Sequence, residues 1–259
     1  MKKRLLSLIV LSLIVLISLI ASLVLPASYD SVNTSERNLP FSFAHPLGTD
    51  SLGRDMLLRL SEGTLTSLLI AFSSSALSLL LALVFGMFSA FHERAEIVLM
   101  RLLDGIRAIP GFALALFFMA ISSRSFLSLV FILTVISLPR AAYLIKNAAL
   151  SVLSEEFVLA KRSLGSGRFH LAFNTVLPHI MPTLLSQFAF SFVSSILMES
   201  SLSYLGVGIS PPSASLGALL MEGRASVLSH PAETLIPALM LFAITLSVRA
   251  FIRSFEKYS

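Results

Sequence analysis

Gly63-Thr-Leu-Thr-Ser-Leu-Leu-Ile-Ala-Phe-Ser-Ser-Ser-Ala-Leu-Ser-Leu-Leu-Leu-Ala-Leu-Val-Phe-Gly-Met-Phe-Ser-Ala-Phe91 is a run of 29 residues without a single charge. A helix rising ~1.5 Å per residue crosses a ~30 Å hydrocarbon core in about 20 residues, so this stretch reads as a membrane span. The composition of the 259-residue chain points to the same solvent. Lys and Arg number 19 and Asp and Glu 14, making 13% of the chain against ~25% in a soluble domain, while 56% is hydrophobic. Mean hydropathy is +0.89. So few charges cannot cover a soluble surface without leaving large apolar patches. With 20 Phe and only 12 Gly, neither a disordered nor a collagen-like chain fits. The lack of Cys excludes a disulfide framework, a thiol nucleophile and a thiolate metal site.

Five further uncharged runs flank the first: Leu5 to Leu25, Ala108 to Ser123, Ser125 to Pro139, Phe169 to Met198 and Thr234 to Val248. The shorter ones reach spanning length only with help. The fourth run in chain order extends past Arg140 to Ile145 and the last past Arg249 to Ile252, because a terminal Arg can snorkel to the headgroups. The run beginning near Arg107 is the weakest. An all-α, polytopic membrane protein with six transmembrane helices is predicted. Residues 1–62 would form an N-terminal anchor and an external re-entry segment, and residues 63–259 the core.

With the N-terminus inside, fourteen of the 19 positive residues fall on the cytoplasmic side; Arg37, Arg54, Arg59, Arg124 and Arg224 fall outside. Both termini are therefore expected in the cytoplasm of a multi-pass protein. The net charge of +5 follows from this orientation, without a nucleic-acid partner. The first run follows Lys2, Lys3 and Arg4 as a signal peptide would, yet it exceeds the ~7–15 residues of an h-region and is read as a retained anchor.

Four features stand out. His45-Pro-Leu-Gly-Thr-Asp-Ser-Leu-Gly-Arg-Asp55 precedes the second span, where Thr49 or Asp50 can cap a short helix leading into Met56; the five His are scattered and support no metal site. From Ser154 to Pro182, Ser154 can cap a helix carrying Glu155 and Glu156 in its first turn, Gly165 stops it, and Arg168 opens a second short helix expected to end at Leu177-Pro178. This pair is either an interfacial hairpin on anionic headgroups or a knob that docks on a cytosolic protein. On the fifth span Gln187, Ser191, Ser194, Ser195 and Met198 recur at helical spacing, with Glu199 at its outer end; they read as helix–helix glue or as a solute pathway. The second span carries Ser67, Ala71, Ser74, Ser78 and Ala82 as a small-residue packing seam. Last, Ser200 to Glu233 is an external loop dense in Gly and Pro.

No charge sits mid-span, which argues against the Asp/Glu/His relay of an ion-gradient-driven secondary carrier, the alternative reading. None of the 12 Gly is followed by Lys, so no P-loop is present. Uphill transport would draw its energy from another subunit through the Ser154 to Pro182 projection.

Three blocks resemble one family, the integral-membrane permease subunits of ABC importers, in the dipeptide/oligopeptide/nickel branch. They are His45-Pro-Leu-Gly-Thr-Asp50 with Gly53-Arg54-Asp55; Ala160, Gly165 and Leu177-Pro178, at the spacing of the coupling motif; and Leu202-Ser203, Leu205-Gly206, Gly208, Pro211-Pro212, Ser215, Gly217 and Glu222-Gly223-Arg224 in the external loop. The resemblance implies a non-catalytic subunit of the cell (inner or plasma) membrane. It also implies a second homologous permease, cytosolic P-loop ATPase subunits gripping the cytoplasmic coupling helix pair at Glu156, Leu159, Ala160, Gly165, Leu177 and Pro178, and an extracellular solute-binding protein. The pathway would be lined by Gln187, Ser191, Ser194, Ser195 and Met198. No cofactor is implied. Leu159 stands at the motif's Glu, Lys161 at its second Ala and Thr175 at its usual Ile, while Glu156 lies one turn earlier. Dipeptides, oligopeptides, a nickel chelate and sugars place similar demands on such a pathway, and selectivity would rest with the binding protein.

Overall fold

A computed structural model describes residues 12–14, 16–20 and 30–256. Most of the first run therefore lies outside the described residues, although Ile14 packs on the buried cluster around Leu60 and Phe192. The described chain is helical, with one isolated β-bridge between Thr49 and Asp55. Among the described residues, four helices are long and apolar enough to cross a membrane: α1 (Met56–Phe91), α4 (Phe126–Leu153), the continuous Arg168–Tyr204 helix, and α9 (Ala232–Glu256). A bent pair, α2 (Glu93–Arg107) and α3 (Gly111–Ile121), supplies a fifth if its two halves count as one span.

The expected seam on α1 is real. Ser67, Ala71, Ser74, Ser78 and Ala82 are all fully buried. Small side chains let helix backbones approach closely where lipid gives no hydrophobic drive for association. Thr134 of α4 donates to the Ser74 carbonyl at 3.3 Å, and a Cβ on Gly86 would stand 2.9 Å from the Ala142 carbonyl oxygen. On its other faces α1 meets α7 (Leu177–Tyr204) and the short external helix α8 (Leu216–Gly223).

Several boundaries differ from expectation. The first turn of α1 is capped by Asp55, whose Oδ1 accepts from the Leu57 and Leu58 N–H groups; Thr49 and Asp50 do not cap it. The third run is broken. Pro110 lacks an N–H and disfavours helical geometry at the residue before it, so α2 and α3 meet at 81° and α3 alone, 11 residues, is too short to cross. The charged stretch 93–107, between two of the uncharged runs, is the amphipathic helix α2. It is clamped to α4 by Lys146, whose Nζ donates to Glu96 at 2.8 Å, and by Tyr143, which donates to Asp104 at 2.9 Å. Leu153 rather than Ile145 ends α4, which runs on through Pro139, as membrane helices tolerate.

Gly86→Leu is expected to lower stability by ~1–3 kcal/mol, because α4 leaves no room for the side chain. Val84→Leu, on the exposed face, should leave the thermal midpoint of the purified protein unchanged. Equal midpoints for the two variants would contradict the seam.

Candidate functional site

Two assemblies sit at opposite ends of α1. At the end where it begins, Asp50 orders its own turn by accepting from the Leu52 and Arg54 N–H groups, both at 2.9 Å. Its Oδ2 receives Arg54 Nε at 2.7 Å, and Arg54 Nη2 reaches Glu222 of α8 at 2.7 Å. Arg59, one turn into α1, donates from Nη2 to the other Glu222 oxygen at 3.0 Å and lies 3.6 Å from Asp50. Burial alone would lower the Arg54 pKa, but the Glu222 hydrogen bond with the Glu222 and Asp50 charges leaves it raised, so the guanidinium is a permanent charge. His45 Nδ1 donates to Asp55 at 2.8 Å, tying the cap of α1 into the same loop.

Behind this cluster, Glu199 of α7 is completely buried. Ser67 of α1 donates to it at 2.9 Å and Ser203 at 2.7 Å, while the Leu216 N–H that opens α8 donates to Ser67 at 3.1 Å. One carboxyl therefore joins α1, α7 and α8. The small residues of the external loop permit the fit: a Cβ on Gly217 would stand 2.3 Å from the Ser200 carbonyl oxygen. Ser215 caps α8 by accepting from Ala218 N–H.

At the other end, α5 (Glu156–Ser163) and α6 (Arg168–Leu171) form the projection. Gly165 takes φ +87°, a conformation that side-chain-bearing residues adopt only under strain. Ser154 does not cap α5; it ends α4 in helical geometry, and Glu155 occupies the N-cap position without a side-chain bond. Nor does the second arm stop at Leu177-Pro178. It passes through a π-helical turn, Ala172–Val176, into α7, so the arm and the span are one 37-residue helix. The widened turn accommodates the missing N–H of Pro178, and His179 Nδ1 donates to the Thr175 carbonyl at 2.6 Å.

Glu156, Leu159, Ala160 and Gly165 are exposed, as is Pro178; Leu177 is half-buried at the root of α7. Val158 anchors α5 from beneath. Lys161 Nζ donates to Thr175 Oγ1 at 3.3 Å. Two of the three departures from the motif thus meet across the projection and brace its arms.

Gln187, Ser191 and Ser195 are buried within the chain, with Gln187 Nε2 donating to Ser191 at 3.0 Å. Ser194 and Met198 are half-buried on the adjacent face. The spacing found this stripe, but not the Asp50–Arg54–Arg59–Glu222 cluster, whose closure requires residues more than 160 positions apart.

Residues 78–258 match the family described as "Binding-protein-dependent transport system inner membrane component". The chain is 38% identical over 179 residues to the di/tripeptide transport system permease protein DppC of Pseudomonas aeruginosa, across 69% of this chain and 59% of that relative. It is 28% identical to the oligopeptide transport system permease protein OppC of Bacillus subtilis, across 92% and 78%, and 30% identical to the glutathione transport system permease protein GsiD of Pectobacterium atrosepticum, across 85% and 71%. Its fold is similar to a chain of the MetNI methionine ABC transporter in inward-facing conformations, at 16% identity with a TM-score of 0.61, covering 77% of this chain and 97% of that one.

Glu222→Ala is expected to cost about 2 kcal/mol, below the ~3–5 of a fully buried pair because Glu222 is 32% exposed. The loss should appear as a lower thermal midpoint than that of Glu222→Gln or of the surface variant Arg224→Ala, and three equal midpoints would show that the cluster holds nothing together.

Proposed function

The chain belongs to the family of binding-protein-dependent transport system inner membrane components, and on that footing we propose that it is one permease subunit of an ATP-driven importer for peptides or a related small solute. The observation that carries this reading is the projection. It is short, apolar and exposed at Leu159 and Leu164, and its second arm, α6, continues without a break into a membrane-spanning helix. A push on α5 reaches α7 through the Gly165 turn and the Lys161–Thr175 hydrogen bond that ties α5 to that arm. Such a rigid link between a docking surface and a span is what an external motor needs.

In this reading cytosolic ATPase subunits grip Glu156, Leu159, Ala160 and the Gly165 turn, with Leu177 and Pro178 at the root of the lever. Glu156 supplies the acidic contact that Leu159 cannot. A second, homologous permease completes the pathway, and an extracellular solute-binding protein delivers the ligand to the face closed by Asp50, Arg54, Arg59 and Glu222. The chain is non-catalytic, with hydrolysis left to the partners. Six spans result when the first uncharged run and the bent pair each count as one, and the positive-inside rule puts both termini in the cytoplasm. The peptide class rests on the relatives named for di/tripeptides, oligopeptides and glutathione.

Gln187, Ser191, Ser194, Ser195 and Met198 would line the pathway once the helices around α7 part. In the conformation described, the first, second and fourth of these are covered by neighbouring helices.

Reconstituted with a second permease, ATPase and binding protein, the chain should support ATP-dependent peptide uptake; alone under an ion gradient it should not, whereas a secondary carrier would. Gly165→Leu should lower uptake about tenfold while ATP hydrolysis continues, because the strained turn misaims α5 without filling any contact. Normal uptake would remove the projection from the coupling role.

Single cysteines at Ser191, Ser194 and Ser195 should react with a water-soluble thiol reagent in at least one nucleotide state. Protection of all three in every state would assign the stripe to helix packing.

A further inference from the structure

The projection borders a second feature, which meets the coupling residues only at Leu177. Between the last turns of α1 and the arm leading into α7 lies an open apolar groove of about 360 Å³. Val84, Met87 and Phe88 form one wall, and Phe169, Ala172 and Phe173 the other. The Phe169 and Phe173 rings stack at 5.2 Å, so this second wall is aromatic. Arg168 stands in the lining and has no acidic partner among the described residues.

Depth identifies what such a groove meets. Counted from Gly63, where the charges of α1 stop, a hydrocarbon core of about 20 helical residues reaches to near Leu83. The Val84 end of the groove therefore lies at the acyl-chain boundary, and the His92 and Arg168 end at headgroup level. Along α1 the exposed Leu77, Leu80, Val84 and Phe88 form one stripe at helical spacing that runs into the groove. A lipid tail can slide in sideways from the bilayer without crossing a polar surface.

We propose that the groove binds an anionic phospholipid of the cytoplasmic leaflet, with an acyl chain between Phe88 and the Phe169/Phe173 face and its phosphate on Arg168. The charge decides between occupants. A lipid without phosphate or an apolar protein helix would leave the Arg168 guanidinium at the groove unpaired, and in phosphatidylcholine the choline cation offsets the phosphate, whereas an anionic headgroup brings a phosphate that accepts a bidentate pair together with uncompensated negative charge. The bound lipid would brace the arm that carries the lever. The leaflet rests on the orientation given under Proposed function.

Native mass spectrometry of the purified protein with added phosphatidylglycerol, chain-matched phosphatidylcholine, or inorganic phosphate tests this. Phosphatidylglycerol should be retained about fivefold more than phosphatidylcholine, the effect of one Arg near an anionic surface, and Arg168→Gln should abolish that preference. Ala172→Trp, which fills the groove, should reduce retention of both lipids, while Arg162→Gln, outside the lining, should change neither. Inorganic phosphate should not displace the lipid, since the acyl chain supplies part of the binding. Equal retention of the two lipids by the native chain, or an unchanged preference in Arg168→Gln, would overturn the proposal. So would efficient cross-linking of Ala172→Cys to a second permease, which would make the groove a protein interface. Retention is read without transport, so failure here leaves the import reading standing, and failure of ATP-dependent uptake leaves the lipid site standing.

Discussion

Close approach of α1 to its neighbours is the constraint on which the other contacts depend. Lipid tails are as apolar as Leu, so helices in a bilayer gain little from hiding apolar surface and associate through packing and hydrogen bonds. Here Ser67, Ser74, Ser78 and Gly86 present almost no side chain, and α4 comes near enough for Thr134 to reach the Ser74 carbonyl. The same slimness lets Ser67 link Glu199 of α7 to the first N–H of α8. With bulkier residues on this seam, neither the buried carboxyl nor the external helix would find its partners.

In the proposed import reading, each end of α1 carries a device suited to one side of a transport cycle. On one side, two arginines and two carboxylates fasten the loop before α1 to α8, where a binding protein would press. On the other, the exposed projection runs directly into α7. Both devices act on the same packed group of helices, so a displacement at one end is felt at the other without a separate relay. The departures from the coupling motif fit this picture. Lys161 and Thr175 replace small and apolar residues, and their mutual hydrogen bond ties the two arms of the projection together.

Much of the architecture was legible because it follows local rules. Charge exclusion located the long runs, small-residue spacing located the seam, and Gly165 marked a turn that requires positive φ. The errors lay where local signals have two meanings. Ser154 followed by Glu155 and Glu156 looks like a helix start, yet the preceding helix keeps the serine. Leu177-Pro178 looks like a stop, yet a π turn absorbs the proline and the helix continues. Pro110 produces an 81° bend, so the run read as a span became a short apolar helix set against an amphipathic one.

By itself the sequence determined the solvent, the helical class and the family, because lipid tolerates neither charges nor unpaired backbone and these preferences are written residue by residue. Only the tertiary structure decided which distant residues close on one another. Arg54 and Arg59 have no preference for Glu222 over any other carboxylate until the packing of α1 against α8 brings that one within 3.0 Å. Gln187 and Ser191 likewise became interior residues only when other helices covered them. Periodicity states which residues share a face; the fold alone states what that face meets.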